Sequence, residues 1–283
     1  MQQRRFHQVD VFSAIPYMGN PVAVVLDAQG LDDSQMQGFA RWTHLSETTF
    51  VLPPTDAQAD YRLRIFTPAG ELQFAGHPTL GSCHAWLVAG GAPKSAEFVL
   101  QQCGAGLVRV RRDAQRLAFG APPMQRSVPD RTLLAELSTA LGLPTEQVRS
   151  AQWLDNGTRW LCLLLDTAQS VLRLNPDFSA LKALGHKVGV AGLQPAAVGS
   201  DAPALAVRAF APHMGIDEDP VTGSLNASLA QWLIADGVMP AHYLAAQGER
   251  LQRAGRVFVE RDTAGQVWVG GDTVSCITGS VCI

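Results

Sequence analysis

A short phrase occurs twice in this chain, about 144 residues apart. The first copy comprises RIFTP at residues 64–68 and HPTLGS at residues 77–82; the second comprises RAFAP at residues 208–212 and DPVTGS at residues 219–224. Each copy runs on into an apolar stretch that carries a tryptophan, Trp86 or Trp232. A repeat of this length is too long for a solenoid unit. It predicts two similar halves, with His77 and Asp219 at matching places.

The chain has 283 residues, which is enough for two domains that each bury their own core. The Pro-rich stretch at residues 120–123 is typical of a boundary. We therefore predict an N-terminal αβ half at residues 1–121 and a C-terminal αβ half at residues 122–283. This division allows the last strands to join the sheet of the first half.

Alternating apolar and polar residues predict most of the strands. The predicted strands cover residues 6–12, 21–26, 48–52, 60–66, 97–101, 106–111, 115–119, 159–165, 204–210, 256–260 and 266–269. Helices are predicted from about Asp32 to Thr43, with Asp33 and Ser34 as candidate caps, and over residues 131–141, where Gly142 ends the helix. Each copy of the phrase should also open an apolar helix, one turn longer in the second copy. This pattern indicates an α+β class: two pseudo-twofold-related αβ halves, each with a mostly antiparallel sheet against a long helix.

Composition and charge narrow the class of protein. The chain is 47% hydrophobic and 17% charged, with a formal net charge of −3, so it lacks the basic balance that nucleic-acid binding requires. The most apolar stretch, residues 161–165, is too short to cross a bilayer, and the start of the chain is typical of a strand rather than a signal peptide. Five scattered cysteines favour a reducing cytoplasm over a disulfide framework. The spacing of His and Cys residues predicts no metal site.

The two proline-containing phrases predict helix starts. Proline is favoured at the first helical position, which would make His77 and Asp219 the N-caps. Free backbone N–H groups at a helix start attract carboxylates or phosphates, and they favour a neutral imidazole. Two interpretations stay open: Asp219 caps a helix and His77 is a turn residue with its hydrogen bonds satisfied, or both contribute to one binding cleft. The duplication favours the cleft.

Glu47 is the second candidate for chemistry. It lies in LSETTF, residues 45–50, just before an apolar strand. A carboxyl group held among apolar neighbours can both accept and return a proton near neutral pH. The alternative is a solvated turn. No counterpart of Glu47 is evident in the second half.

Five motifs in order resemble the PhzF-like, phenazine-biosynthesis family. They are GNPVAV at 19–24, SETTF at 46–50, RIFTP at 64–68, FAGHPTLG at 74–81 and EDPVTGS at 218–224. The resemblance runs from about residue 6 into the last strands. It implies the diaminopimelate-epimerase-like fold, in which each half wraps its sheet around a central helix. It also implies a homodimer and a cofactor-independent isomerase that acts on trans-2,3-dihydro-3-hydroxyanthranilate, a small carboxylate-bearing molecule.

The same resemblance implies a role for individual residues. Glu47 would be the catalytic carboxyl that moves a proton between ring carbons. His77 and Asp219 would orient the amine and hydroxyl groups of the substrate. The remaining substrate-binding positions are Asn20, Ser46, Gly76, Gly223 and Ser224.

Two departures from the family pattern leave the substrate open, and two rival functions remain. Gln73 stands where the family commonly has proline, and Leu225 and Asn226 stand where a small residue and often a histidine follow the Gly-Ser pair. Racemases of the same fold use two cysteines, one from each half, but Cys83 has no partner in the second half. A non-catalytic, metabolite-binding paralogue is the remaining alternative.

Overall fold

The computed structural model describes residues 1–113, 116–194 and 202–283, and the chain divides into two compact units. Unit 1 comprises residues 1–120 and 270–283; unit 2 comprises residues 121–269. The elements of unit 1 are β1 (Gln3–Val11), β2 (Asn20–Val25), α1 (Asp33–Thr43), β3 (Thr48–Leu52), β4 (Tyr61–Phe66), β5 (Glu71–Leu72), α2 (Gly76–Val88), β6 (Phe98–Cys103), β7 (Gly106–Asp113), β8 (Arg116–Gly120) and β18 (Thr273–Cys282).

Unit 2 contains a second series of strands around its own long helix. Its elements are β9 (Gln125–Ser127), α3 (Arg131–Leu141), β10 (Val148–Asp155), β11 (Arg159–Leu165), α4 (Ala168–Arg173), α5 (Phe178–Leu184), β12 (Val188–Leu193), β13 (Leu205–Ala211), β14 (Ile216–Asp219), α6 (Gly223–Ala235), β15 (His242–Gln247), β16 (Gly255–Arg261) and β17 (Val267–Gly271). None of the helices in the described part of the chain has the length and apolar character needed to cross a bilayer.

The strands of the two units pair in the same order. In unit 1, β1 pairs antiparallel with β2, β2 parallel with β3, β3 antiparallel with β4, and β4 parallel with β6. In unit 2, β10, β11, β12, β13 and β15 repeat this series with the same directions. Each parallel pair is joined by a crossover that contains a helix, as parallel pairs require. The duplicated phrase therefore reflects a duplicated α+β topology.

Most elements with a strong local pattern are confirmed. The predicted strands lie within three residues of the observed ones, except that residue 115, the start of predicted strand 115–119, lies outside the described residues. The helix at Arg131–Leu141 ends at Gly142 in the left-handed conformation, as predicted. The predicted helix at residues 32–43 is present, but its cap is Asp32, which forms a capping box with Gln35, rather than Asp33 or Ser34.

The long helices α2 and α6 are buried along most of their length. Each has 13 residues, so the prediction of an extra turn in the second copy is wrong. Helix α2 packs on the sheet of unit 1, where a methyl group on Gly81 would lie 2.4 Å from Val22 Cγ1 and 3.0 Å from Val11 Cγ2. Glycine at position 81 therefore lets the helix approach the strands closely.

The helix starts differ from those predicted. The N-cap of α2 is Ala75, so His77 is the second residue of the helix; the N-cap of α6 is Thr222, so Asp219 lies outside the helix, at the end of β14. Pairing of Asp219 with Ala209 keeps the chain extended through Asp219 and delays the helix. By position in the helix, the counterpart of His77 is Ser224, and the predicted pairing of His77 with Asp219 is wrong.

Replacing Gly81 with alanine should destabilise the protein by about 1–3 kcal/mol, because the added methyl group overpacks the contact between α2 and strands β1 and β2. Gly38, inside α1, is the matched control because its methyl group would meet no atom within 4 Å. Gly38→Ala should stabilise by about 0.5–1 kcal/mol through helix propensity. Urea unfolding measures both changes. Equal effects of the two substitutions would contradict the packing argument.

His84 links α2 to the last strand of unit 1. Its Nδ1 lies 2.9 Å from Thr273 Oγ1 and its Nε2 lies 3.0 Å from Ser275 Oγ. Burial lowers the pKa of His84, and the nearby His7 lowers it further. The native state thus binds a proton less readily than the unfolded chain, whose histidine pKa is about 6.5.

This pKa difference predicts that stability falls as the pH drops below about 6.5. Between pH 7.5 and 5.5, the decrease in Tm should be smaller for His84→Gln than for the natural sequence, because the variant lacks this titrating group. His242→Gln, at an exposed position, is the control and should keep the full decrease. An unchanged pH dependence in His84→Gln would show that this group does not set it.

Candidate functional site

Glu47 and His77 form the core of the candidate site in unit 1. Glu47 is the last residue before β3, and its backbone carbonyl accepts a hydrogen bond from Ala23 N at 3.4 Å. Its carboxylate Oε2 lies 3.5 Å from His77 Nε2. The side chains are only 15% and 5% exposed, so water screens this interaction weakly. The solvated-turn interpretation of Glu47 is therefore wrong.

The contact with Asn20 indicates which nitrogen of the His77 ring carries the hydrogen. The Asn20 amide Nδ2 donates to His77 Nδ1 at 3.5 Å. An amide nitrogen is only a donor, so Nδ1 must accept and the ring hydrogen belongs on Nε2. The neutral ring then presents its N–H to the Glu47 carboxylate without a change of charge on the histidine.

The position of Asn20 depends on a close contact between backbone segments. A methyl group on Gly19 would lie 2.2 Å from the carbonyl oxygen of Val11, so only glycine fits. The buried Asp10 carboxylate accepts a hydrogen bond from Gly19 N at 2.8 Å. Asn20 then pairs with Val11 across β1 and β2. These contacts explain the first two residues of the GNPVAV motif, because Gly19 allows the close backbone approach that places the Asn20 amide.

The start of α2 offers backbone donors beside this pair. Its N-cap, Ala75, makes no side-chain capping bond, and Gly76 is buried as the first helical residue. The first turn of a helix has N–H groups without intrahelical partners, which suit an anionic ligand. Ser46 lies beside Glu47 in the same connection and is half-buried.

In unit 2, the remaining candidate residues lie at the start of α6. Asp219 is half-buried, and its Oδ2 accepts a hydrogen bond from Thr222 Oγ1 at 2.5 Å. Gly223 is the first helical residue, as Gly76 is in α2. Ser224 Oγ accepts from Trp160 Nε1 at 3.2 Å, and its backbone carbonyl accepts from Asn156 Nδ2 at 3.0 Å.

Leu225 and Asn226 belong to the interior of unit 2. The Leu225 side chain packs against Gly189, where a methyl group would lie 2.3 Å from it. Asn226 Nδ2 donates to Thr222 O at 2.9 Å and to Gln247 Oε1 at 2.8 Å. These departures from the family pattern are thus accommodated by internal packing.

Glu47 has a topological counterpart in unit 2, contrary to the sequence-based expectation. Lys187 is the last residue before β12, and its carbonyl accepts from Leu161 N at 2.8 Å, as that of Glu47 accepts from Ala23. Lys187 Nζ lies 5.7 Å from the centre of the Trp160 ring. A lysine in place of the glutamate hid this equivalence in the sequence.

Two buried polar residues near these sites were missed from the sequence. Gln247 ends β15, a strand that was not predicted, and Asp10 lies within a predicted strand but was given no role. Both could have been found as polar residues on the buried face of an apolar strand. Gln247 is also followed by a glycine, Gly248. Buried polar groups need hydrogen-bond partners. The sequence pattern indicates that such partners exist but does not identify them.

Comparison with a solved structure identifies the class of fold. A PhzF-family protein from Bacillus anthracis, a phenazine biosynthesis protein by its description, superposes with a TM-score of 0.85 over 100% of both chains, at 22% sequence identity. At this identity the likeness concerns the fold alone. The duplicated α+β arrangement is the diaminopimelate-epimerase-like fold.

Sequence comparisons define the family. The family model for phenazine biosynthesis-like proteins (PhzC-PhzF) matches residues 9–279, and the chain belongs to this family. Antisense-enhancing sequence 1 of Schizosaccharomyces pombe is 37% identical over 99% of both chains. Trans-2,3-dihydro-3-hydroxyanthranilate isomerase of Pseudomonas aeruginosa is 33% identical over 93% of this chain and 92% of its own. The protein is an isomerase of this family, and the comparisons leave its substrate open.

An arginine-glutamate ion pair precedes the start of α2 and of α6. In unit 2 this pair holds Glu218, the residue next to Asp219. Arg208 and Glu218 form a bidentate pair in unit 2, with side chains only 4% and 5% exposed. Arg64 and Glu71 form the matching pair in unit 1, but their side chains are 21% and 37% exposed. Arg208 also donates to the carbonyl of Leu174 at 2.7 Å.

Glu218→Gln should destabilise the protein by about 3–5 kcal/mol, because it leaves the buried Arg208 charge without its counterion. Glu71→Gln, the matched change in the exposed pair, should cost about 1 kcal/mol or less. Thermal and urea unfolding measure the difference. A similar loss in both variants would show that burial does not govern these pairs.

Proposed function

We propose that this protein moves a proton within a small carboxylate-bearing substrate and that Glu47 is the general acid and base. The observation that carries this proposal is the buried Glu47 carboxylate, 3.5 Å from a histidine whose other nitrogen is occupied by Asn20. The named activity of the relatives, isomerisation of trans-2,3-dihydro-3-hydroxyanthranilate, supports this substrate class.

In the proposed reaction, Glu47 acts twice on the same substrate. As a carboxylate it removes a proton from one ring carbon, and the electron pair of that C–H bond moves into the conjugated system. As a carboxylic acid it then returns a proton to another ring carbon. No electron or group is gained or lost, so the reaction as proposed needs no cofactor. A positioned acid-base group of this kind contributes about 10²–10⁴-fold to a rate.

The remaining candidate residues are assigned to substrate binding. His77 presents its Nε2–H group beside Glu47, and the backbone N–H groups of Gly76 and His77 offer donors for a substrate carboxylate. Asn20 holds His77, and Ser46 lies next to Glu47. From unit 2 we assign substrate binding to Asp219, Gly223 and Ser224. A carboxylate such as Asp219 suits an amine or hydroxyl group of the substrate.

The alternative, a cysteine-based racemase or epimerase, has little physical support at Cys83. This residue is fully buried in α2, and burial raises the pKa of its thiol to about 12. The thiolate is the form that abstracts protons, and it is scarce at neutral pH with such a pKa. Alkylation by iodoacetamide is the simple check, since a thiol mechanism requires it to abolish activity.

Incubation with trans-2,3-dihydro-3-hydroxyanthranilate in deuterated water tests the proposal. The natural sequence should release product that carries deuterium at the new C–H position, detected by NMR or mass spectrometry. Glu47→Gln should lower kcat by about 10²–10⁴-fold, because the amide cannot carry the proton. Glu97→Gln, at an exposed position of unit 1, is the matched control and should keep the natural rate.

Three results would contradict the proposal in different ways. Absence of turnover and of binding by the natural sequence would exclude this substrate. Thermal stabilisation by the compound without turnover would indicate a metabolite-binding paralogue. Turnover that is unchanged in Glu47→Gln would leave the substrate in place and exclude Glu47 as the proton carrier.

A further inference from the structure

A buried glutamine joins the residues before α6. Gln247, at the end of β15, is only 2% exposed. Its Oε1 accepts from Thr222 N at 3.0 Å and from Asn226 Nδ2 at 2.8 Å. Its Nε2 donates to the backbone carbonyl of Asp219 at 3.1 Å and to Thr222 Oγ1 at 2.9 Å. All the hydrogen-bonding positions of this amide are therefore used on one segment.

These bonds determine the direction of the Thr222 hydroxyl. A hydroxyl group has one hydrogen, and the Thr222 oxygen already accepts a hydrogen bond from Gln247 Nε2. Its own hydrogen then points to Asp219 Oδ2, 2.5 Å away. Gln247, Thr222 and Asp219 thus form a relay in which each group donates to the next.

We propose that Gln247 is a positioning residue for Asp219. Its amide holds the Thr222 hydroxyl against the Asp219 carboxylate and also holds the Asp219 backbone, so the carboxylate keeps one orientation toward an amine or hydroxyl of the substrate. This inference rests on the substrate-binding role proposed above for Asp219. Preorganised polar groups of this kind lower the cost of ordering a site when a ligand binds.

Unit 1 contains a matched glutamine without the relay. Gln101 is also buried, and its Nε2 donates to Oγ1 of Thr79, the fourth residue of α2, at 3.0 Å. Gln247 likewise contacts Asn226, the fourth residue of α6. Its Oε1 accepts from Tyr61 Oη at 2.9 Å. Both glutamines contact the side chain of the fourth residue of a helix, but only Gln247 is linked to a carboxylate-bearing candidate residue.

Gln247→Glu removes the hydrogen-bond donors of this side chain and keeps its acceptors. The substituted side chain has the same shape and can accept from Thr222 N and Asn226, but it cannot donate to Thr222 or Asp219. The Thr222 hydroxyl is expected to turn to the new carboxylate and to release Asp219. Gln101→Glu is the matched control for the stability cost of a buried charge.

Binding is measured by calorimetry with trans-2,3-dihydro-3-hydroxyanthranilate in the Glu47→Gln background, where turnover is slow. Gln247→Glu should raise Kd about tenfold, whereas Gln101→Glu should keep Kd within about twofold. In the active background, Gln247→Glu should raise KM more than it lowers kcat. A purely structural loss reduces the active fraction, and therefore kcat, but leaves KM unchanged.

A second pair of variants avoids a buried charge. Thr222→Val removes the hydroxyl and should raise Kd as Gln247→Glu does, and Thr222→Ser keeps the hydroxyl and should restore the natural Kd. In the Asp219→Asn background, Gln247→Glu should have no further effect on Kd. Natural Kd values in both Gln247→Glu and Thr222→Val, or a full effect that persists without Asp219, would overturn the proposal.

Failure of the substrate proposal gives a different result. If the Glu47→Gln protein does not bind this compound, the substrate is wrong, and the relay is then decided by crystal structures without ligand. The Gln247→Glu crystal should show the Asp219 carboxylate in a changed rotamer, without its bond from Thr222. An unmoved Asp219 carboxylate, still bonded to Thr222, would overturn the role of Gln247.

Discussion

The burial of a helix start is the constraint on which the rest of this structure depends. Helices α2 and α6 lie inside their units, so their first turns bring unpaired N–H groups into places that water reaches poorly. Such groups require polar partners. At the start of α6 the buried Gln247 accepts a hydrogen bond from Thr222 N, whereas at the start of α2 the buried Gln101 donates to the Thr79 hydroxyl. In the function proposed above, the N–H groups at the start of α2 bind the carboxylate of the substrate.

The duplication preserves the scaffold and changes the chemistry. An arginine-glutamate pair, an arginine over a phenylalanine ring at 5.0 Å and a buried glutamine occur at matching places in both units. The residue before the third strand of the series differs: it is Glu47 in unit 1 and Lys187 in unit 2. The second helical residue differs as well, with His77 in one copy and Ser224 in the other. Residues that hold the fold, the charged arginine-glutamate pair included, have thus been kept, and residues at the positions of the candidate site have diverged.

Local patterns account for what could be predicted. Alternation gave most strands, and Gly142 marked a helix end, because both depend on neighbouring residues. Helix starts were placed wrongly because the argument from Pro78 and Pro220 assumed that proline takes the first helical position. Ala75 carries no capping signal, and strand pairing keeps Asp219 extended. The relay through Gln247 was beyond prediction because it joins residues from two elements, one of which lacked a clear alternating pattern.

In the mechanism proposed above, in which Glu47 carries the proton, the neighbouring histidine keeps one role throughout the reaction. A histidine with a free Nδ1 could take the proton itself and compete with the carboxyl. Here Asn20 donates to Nδ1, and the position of Asn20 follows from the glycine contact at Val11, so the ring is biased toward a single neutral tautomer. Its Nε2–H can then stabilise the Glu47 carboxylate while the histidine stays uncharged. The motif around Gly19 and the motif around His77, far apart in the sequence, therefore serve one electrostatic purpose.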